Sequence, residues 1–243
     1  MSGAWNSANE LALASDDKQL SISDIGGQTL GQHSLKGEAS EVRFRAKDDG
    51  QQLSTVVAGR ALVVLDATDP EQLRMQTELS FPSGHGSIVS YDWFGASHVC
   101  IGFESGHVVV VNCETSGGNE VYSTKLFPTT YLLTYLLACL LILTCSLTPQ
   151  VFSTKLFPNG CTELAVSPLL MRAAACSGNM IKVVQLGNGD DAADYKELQD
   201  EGMVLQTDGG SLEHLSWTRD GQILSVSSDE GGVSKYVSKY VSK

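Results

Sequence analysis

The chain has 243 residues, 42% of them hydrophobic, with 24 glycines and a formal net charge of −12. That length allows one large domain or two small ones, and the glycine content suits a turn-rich β architecture. The net charge, with Lys and Arg scattered and no basic patch, argues against phosphate-backbone binding, so no nucleic acid is expected as a partner.

In chain order, the first short strand closes on Trp5. Glu10–Ser15 (ELALAS) and Lys18–Asp24 (KQLSISD) follow around an Asp16-Asp17 turn, and Gln28–Leu35 is expected as an outer fourth strand. A second unit runs through Glu41–Ala46, Gln52–Ala58 and Arg60–Asp66 (RALVVLD). Thr68-Asp69-Pro70 breaks the pattern, because proline cannot continue a ladder, and Gln72–Phe81 is an expected outer strand. The third unit, Ile88–Cys113, holds three runs: IVSYDWF, HVCIGF and HVVVVN. Its β-branched residues are stiff at χ1 and suit a pleated surface, and Glu104-Ser105-Gly106 forms the turn between the last two runs.

A fourth unit comprises Glu163–Ser167, Arg172–Ser177 and Asn179–Leu186. The acidic stretch Asp190–Gly202 follows as a solvated loop, with a turn of helix expected in Tyr195–Gln199. A fifth unit has Leu212–Thr218 and Gln222–Ser228, and its third strand is expected to fail. The repetitive Val233–Lys243 (VSKYVSKYVSK) reads as a low-complexity tail.

Trp5, Phe44, Trp93, Val166 and Trp217 share one phase, with steps of 39, 49, 73 and 51 residues. Repeats of about 40–50 residues with several short strands each indicate an all-β, WD-repeat β-propeller, incomplete at about four to five blades. Asp24 and Asp66 close third strands where such repeats often carry Trp-Asp, and Gly84-His85 stands where they often carry Gly-His.

The long step has a local cause. Thr129–Phe152 has no charged residue, and its core Tyr131–Leu147 is long and apolar enough to cross a bilayer. Its flanks are near copies: VYSTKLFP at Val121–Pro128 and VFSTKLFP at Val151–Pro158, offset by 30 residues. Removing 30 from the step of 73 leaves 43, which restores the period. Two readings stand: a membrane helix between a strand and the next blade, or a hydrophobic insertion foreign to the repeat, such as retained non-coding sequence. The expected organisation is therefore propeller blades in 1–121 and 152–232, an insertion at 122–151, and a tail at 233–243.

No chemistry-bearing constellation emerges. Nucleotide-binding, hydrolase-elbow, zinc-protease and calcium-loop spacings are absent from the sequence, so no catalytic, cofactor-binding or metal residue is assigned, and no cofactor or enzymatic activity is expected. His33, His85, His98, His107 and His214 lie in different settings, and those near tight turns are expected to bond locally. Asp190, Asp191 and Asp194 lack an alternating ligand pattern. Cys100, Cys113, Cys139, Cys145, Cys161 and Cys176 form no C-x-x-C pair and read as reduced, small residues, several of them in strand cores. Met1–Trp5 leads straight into a repeat, so no leader peptide is expected.

Three stretches, Trp5–Asp24, Ile88–Val111 and Leu212–Gly232, resemble the N-terminal propeller of the WD-repeat subunits of intraflagellar transport complex A. Ile101, Gly102, Phe103, Gly106 and His107 match that family's I-G-F-x-x-G-H run. Ser216, Trp217, Thr218, Asp220, Gly221 and Gln222 match its S-W-T-x-D-G-Q run. The resemblance implies a non-catalytic protein-interaction scaffold in retrograde ciliary transport and in delivery of membrane proteins to cilia. Its partners would be other subunits of a transport complex, and its location the cytoplasm and the cilium or flagellum and its base. The family's N-terminal blades and helical solenoid have no counterpart in this sequence. The alternatives are the propeller of another vesicle-coat or trafficking complex, or a single-span membrane protein anchored by 131–147. Membrane contact is expected only if that segment is a real span. The Asp66–Pro70 and Asp190–Gly202 loops are the candidate contact loops.

Overall fold

The computed structural model describes residues 2–45, 51–95, 97–113, 150–187, 195–198, 204–206, 210–229 and 233–237. These form five antiparallel sheets met in succession. Blade one is β1 (Ser2–Trp5), β2 (Leu11–Ala14), β3 (Gln19–Ser23) and β4 (Thr29–Ser34). Blade two is β5 (Ala39–Phe44), β6 (Gln52–Val57), β7 (Ala61–Asp66) and β8 (Arg74–Ser80). Blade three is β9 (Ile88–Phe94), β10 (His98–Phe103), β11 (His107–Asn112) and β12 (Gln150–Lys155). Blade four is β13 (Glu163–Ser167), β14 (Arg172–Ser177), β15 (Met180–Gln185), β16 (Lys196–Leu198) and β17 (Val204–Gln206). Blade five is β18 (Leu212–Trp217), β19 (Ile223–Ser228) and β20 (Val233–Val237).

Alternation within strands explains how the blades stack. In blade one, Ala12, Ala14, Leu20 and Ile22 all point one way, and they pack with Ala39, Val42, Leu53 and Leu65 of blade two. Blades two and three share a core that includes Val56, Leu62, Val64, Tyr91, Trp93 and Ile101. Phe94, Cys100, Val108 and Val110 of blade three meet Leu156, Phe157, Leu164 and Ala173 at the next seam. Ala174, Cys176 and Ile181 of blade four meet Leu212, Leu215 and Leu224 of blade five. Among the described residues there are thus four inter-blade cores for five blades, which is an arc and not a ring.

Four expectations are corrected. The hydrophobic insertion does not lie between blades. The second flanking copy supplies the outer strand of blade three, so the segment joins two strands of one blade in sequence: Val109 pairs with Ser153, Val108 with Thr154 and His107 with Lys155. Adjacent strands lie about 4.8 Å apart, so the connection leaves and re-enters the fold at one place. The blades on its two sides share one side of any bilayer, which excludes a single span at 131–147 that parts them. Residues 131–147 themselves lie outside the described residues. Among the described residues, no helix is long and apolar enough to cross a membrane.

The third strand of blade five does form. β20 pairs with β19 from Ile223↔Val237 to Ser227↔Val233, so part of the expected tail belongs to the blade. Nor is there a helical turn after Tyr195. Lys196–Leu198 is strand β16 on the second half of β15, and β17 continues along the first half, so two short segments fill the outer position. Tyr195 is buried in the core of blade four, so Asp190–Gly202 is not wholly a solvated loop; its acidic positions 190, 191 and 194 lie outside the described residues.

Candidate functional site

Each blade begins with its innermost strand, and hydrogen bonds across these strands lock successive blades. Glu41 interrupts β5 as a bulge, with φ of 39° and a register shift between Ser40 and Val42. The bulge aims its carboxylate at blade three. Ser90 Oγ donates to Oε1 at 3.1 Å and the Tyr91 N–H to Oε2 at 3.2 Å. Arg43 approaches the same carboxylate at 3.4 Å and Asp92 at 4.0 Å. Its guanidinium also lies over the Tyr91 ring, 5.7 Å from the centroid.

Behind this cluster, buried Ser54 accepts from the Trp93 indole N–H at 2.8 Å and donates to the Arg43 carbonyl at 3.1 Å. The Tyr91 hydroxyl is 3.0 Å from Ser54 Oγ, and complete burial pushes the Tyr91 phenol far up. Glu163, on the innermost strand of blade four, extends the line of carboxylates. Burial pushes Glu41, Asp92 and Glu163 above the usual carboxylate range, against the downward pull of Arg43. These contacts tie blades together. They present no nucleophile beside a base, and no reacting position between them.

The structure brings His85 and His107 together and keeps the other histidines apart. His107 Nδ1 is 2.7 Å from Ser105 Oγ in its own turn, and His85 stacks on His107 with ring centroids 4.5 Å apart. Burial lowers the pKa of both. His98 is buried beside Phe94. His33 lies on the outer strand β4 and His214 on β18. Among the described residues no group of His, Cys, Asp and Glu has the geometry to hold a metal ion. Cys100, Cys161 and Cys176 are buried free thiols, and Cys113 is half-buried. Burial pushes the Cys161 thiol up to about 12. Cys139 and Cys145 lie outside the described residues.

The surface offers one asymmetry. In an up-and-down blade, the turns between the first and second strands and between the third and fourth lie at one end. The remaining turns lie at the other end. Trp5 closes β1, Ile25 tips the β3–β4 turn, Met75 opens β8 and Leu169 tips the β13–β14 turn, so all four sit at the first end. They are the exposed large hydrophobic side chains among the described residues, at 57%, 77%, 50% and 68% exposure. The connection between β11 and β12 leaves from the same end. This clustering was not legible from hydropathy, since none of the four stands in an apolar run of its own that differs from core.

The Asp66–Pro70 loop, expected as a free contact, is partly engaged. Asp66 accepts from the Thr68 N–H at 2.9 Å and from its hydroxyl at 2.6 Å, which holds its carboxyl below the usual range. The following turn lies on β4 of blade one. A Cβ on Gly31 would sit 1.7 Å from the Pro70 carbonyl oxygen, so only glycine admits this approach.

Comparison with known proteins agrees with this architecture. Residues 1–148 match the family described as WDR19 first β-propeller. The chain is 28% identical to WD repeat-containing protein 19 of Homo sapiens over 246 aligned residues, covering 98% of this chain and 15% of that protein. It is 23% identical to WD repeat-containing protein dyf-2 of Caenorhabditis elegans over 230 residues, covering 93% and 14%. The chain therefore spans about one-seventh of the length of these relatives. In fold it is similar to a chain in a crystal structure of the mitotic checkpoint complex, with a TM-score of 0.67 at 13% identity, covering 97% of this chain and 60% of the other. The Cps50 (Swd1) β-propeller domain of Myceliophteria thermophila gives 0.67 at 11% identity, covering 99% and 70%.

Proposed function

We infer a function from one premise: this chain belongs to the WDR19 first β-propeller family. We propose that it acts as a non-catalytic interaction scaffold of the kind found in intraflagellar transport complex A. It would serve retrograde ciliary transport and the delivery of membrane proteins to cilia, in the cytoplasm and at the cilium or flagellum and its base. Its partners are other protein subunits of a transport complex. Its mechanism is docking: rigid blades hold loop tips in fixed positions, and those tips carry the contacts.

The observation that carries this reading is the placement of Ile25, Met75 and Leu169 at one end of the blades. Apolar side chains held at one end of a rigid scaffold are available for protein contact. The test is co-expression with the other subunits of such a complex and capture on the tagged chain. Ile25→Asp with Leu169→Asp should lose at least about tenfold in capture, as central contact residues do, with an unchanged thermal midpoint. Capture that survives both substitutions would move the docking surface elsewhere.

A further inference from the structure

Seven residues, 156–162, join the outer strand of blade three to the innermost strand of blade four. This connection is docked on the β10–β11 turn at both ends. The Leu156 and Phe157 N–H groups donate to the Gly106 carbonyl at 2.8 and 3.3 Å, and the Cys161 N–H donates to the Glu104 carbonyl at 3.3 Å. Leu156, Phe157 and Cys161 are buried in the core between the two blades. Pro158 and Asn159 form the exposed apex between these anchors. Gly160 follows with φ of 107°, and a Cβ there would meet the Glu104 carbonyl oxygen at 2.5 Å, so the asparagine must be followed by glycine.

An asparagine before glycine can close on itself, because no Cβ hinders attack of the next backbone nitrogen on the side-chain amide. Hydrogen bonds decide whether a folded turn permits it. Two Asn-Gly or Asp-Gly pairs lie among the described residues, and they contrast. At Asp220-Gly221 the carboxylate accepts from the Thr218 hydroxyl at 2.5 Å and from the Gln222 N–H at 3.1 Å. The Gly221 N–H is itself held by the Thr218 carbonyl at 2.7 Å. At Asn159-Gly160 neither the side-chain amide nor the Gly160 N–H has a hydrogen-bond partner among the described residues.

We propose that Asn159 is a site of spontaneous deamidation, and that its isoaspartyl product weakens the seam between blades three and four. The Gly160 backbone nitrogen loses its proton to solvent base and attacks Cγ of Asn159. A bond forms between that nitrogen and Cγ, the Cγ–Nδ2 bond breaks, and ammonia leaves with the proton returned. One water then opens the cyclic imide at either carbonyl, giving aspartate or isoaspartate. Isoaspartate routes the backbone through Cγ and so lengthens it by a methylene. The close approach at Gly160 leaves no room for that length. Strain therefore falls on the Cys161 bond to Glu104 and on the seating of Leu156 and Phe157.

The test incubates the full chain at mildly alkaline pH beside a synthetic peptide of residues 156–172. Trypsin releases the same peptide from the chain, and Asn159 is its only amide side chain, so the mass gained when acid replaces amide reports this residue alone. Asn159 should be lost from the folded chain at a rate within about tenfold of the peptide's, and faster as pH rises. A second unfolding transition should appear at least about 4 °C below the first, with an amplitude that follows the isoaspartyl fraction. Asn159→Gln, whose longer side chain closes a ring more slowly, should stay intact and keep one midpoint. Asn159→Asp adds the charge without the methylene and should stay within about 2 °C of the parent. Loss of Asn159 more than about tenfold slower in the folded chain than in the peptide would overturn the proposal. So would isoaspartate that accumulates with the midpoint unmoved, or Asn159→Asp that falls as far as the aged parent.

Discussion

Glu163 lies on β13 and is pushed up by burial and by Glu41, with only partial relief from His214 and Arg43. Its folded pKa is above its unfolded one, so the folded state binds the proton more tightly. The associated stability is present below about pH 4.5, the ordinary value, and is lost as pH rises through the elevated folded pKa. Glu163→Gln removes that loss. The variant is expected to be more stable than the parent at pH 7 by a few tenths of a kcal/mol, within the about ±0.5 kcal/mol of substitutions outside the core. The gain should shrink toward pH 4, as urea unfolding at both pH values would show. Asp66 and Asp220 act in the opposite sense, since hydrogen bonds from Thr68 and Thr218 hold them low and their contribution is lost on acidification. Residue type alone did not separate these roles. Asp66 and Glu163 both read as ordinary surface carboxylates until their neighbours were in place.

At the scale of elements, strand positions were legible because β-branched runs alternate with turn residues, and β7, β10 and β11 emerged nearly where the runs lie. Outer strands carry weaker patterns and pair on one side only; β4 and β8 lie inside their expected bounds, whereas β12, β16 and β17 were not expected. β12 was hidden because its sequence occurs twice, and only pairing with β11 shows which copy is used. β20 was missed because VSKYV looks like repetition, although it is β-compatible and finds β19 as a template. Contacts between elements rest on close backbone approach, as at Gly31 under Pro70. Gly31→Ala is expected to cost about 1–3 kcal/mol, the usual range for overpacking. Thermal unfolding would register this as a lower midpoint with no change in the strand content seen by circular dichroism.

At the scale of the whole molecule, the arc leaves two blade faces uncovered. The free face of blade five includes His214, Ser216, Ser225 and Ser227, whereas that of blade one carries Trp5, Leu11 and Leu13. Where a preceding blade is present, the matching tryptophan is anchored on it: Trp93 donates to Ser54, and Trp217 to the Ala165 carbonyl at 3.2 Å. Trp5 is 57% exposed instead. An apolar open face invites association, so the 243-residue chain should self-associate with rising concentration. Trp5→Ser should weaken that in sedimentation velocity by at least about twofold and leave the thermal midpoint unchanged, because the side chain fills no core.

The sequence by itself determined the class of fold, the period, the innermost and middle strands of the first four blades, and the family. These follow from local chemistry: β-branched runs, glycine and aspartate turns, and an aromatic at a recurring phase. Tertiary structure alone decided that the second flanking copy is the outer strand of blade three, that Glu41 bulges out of β5 to bind the backbone of the neighbouring blade, and that four exposed apolar side chains share one end. Each of these depends on which distant segment lies alongside. Residues 41 and 91 meet only once blades two and three have stacked, and residues 110 and 152 only once a distant segment has paired with β11; no local preference encodes either meeting.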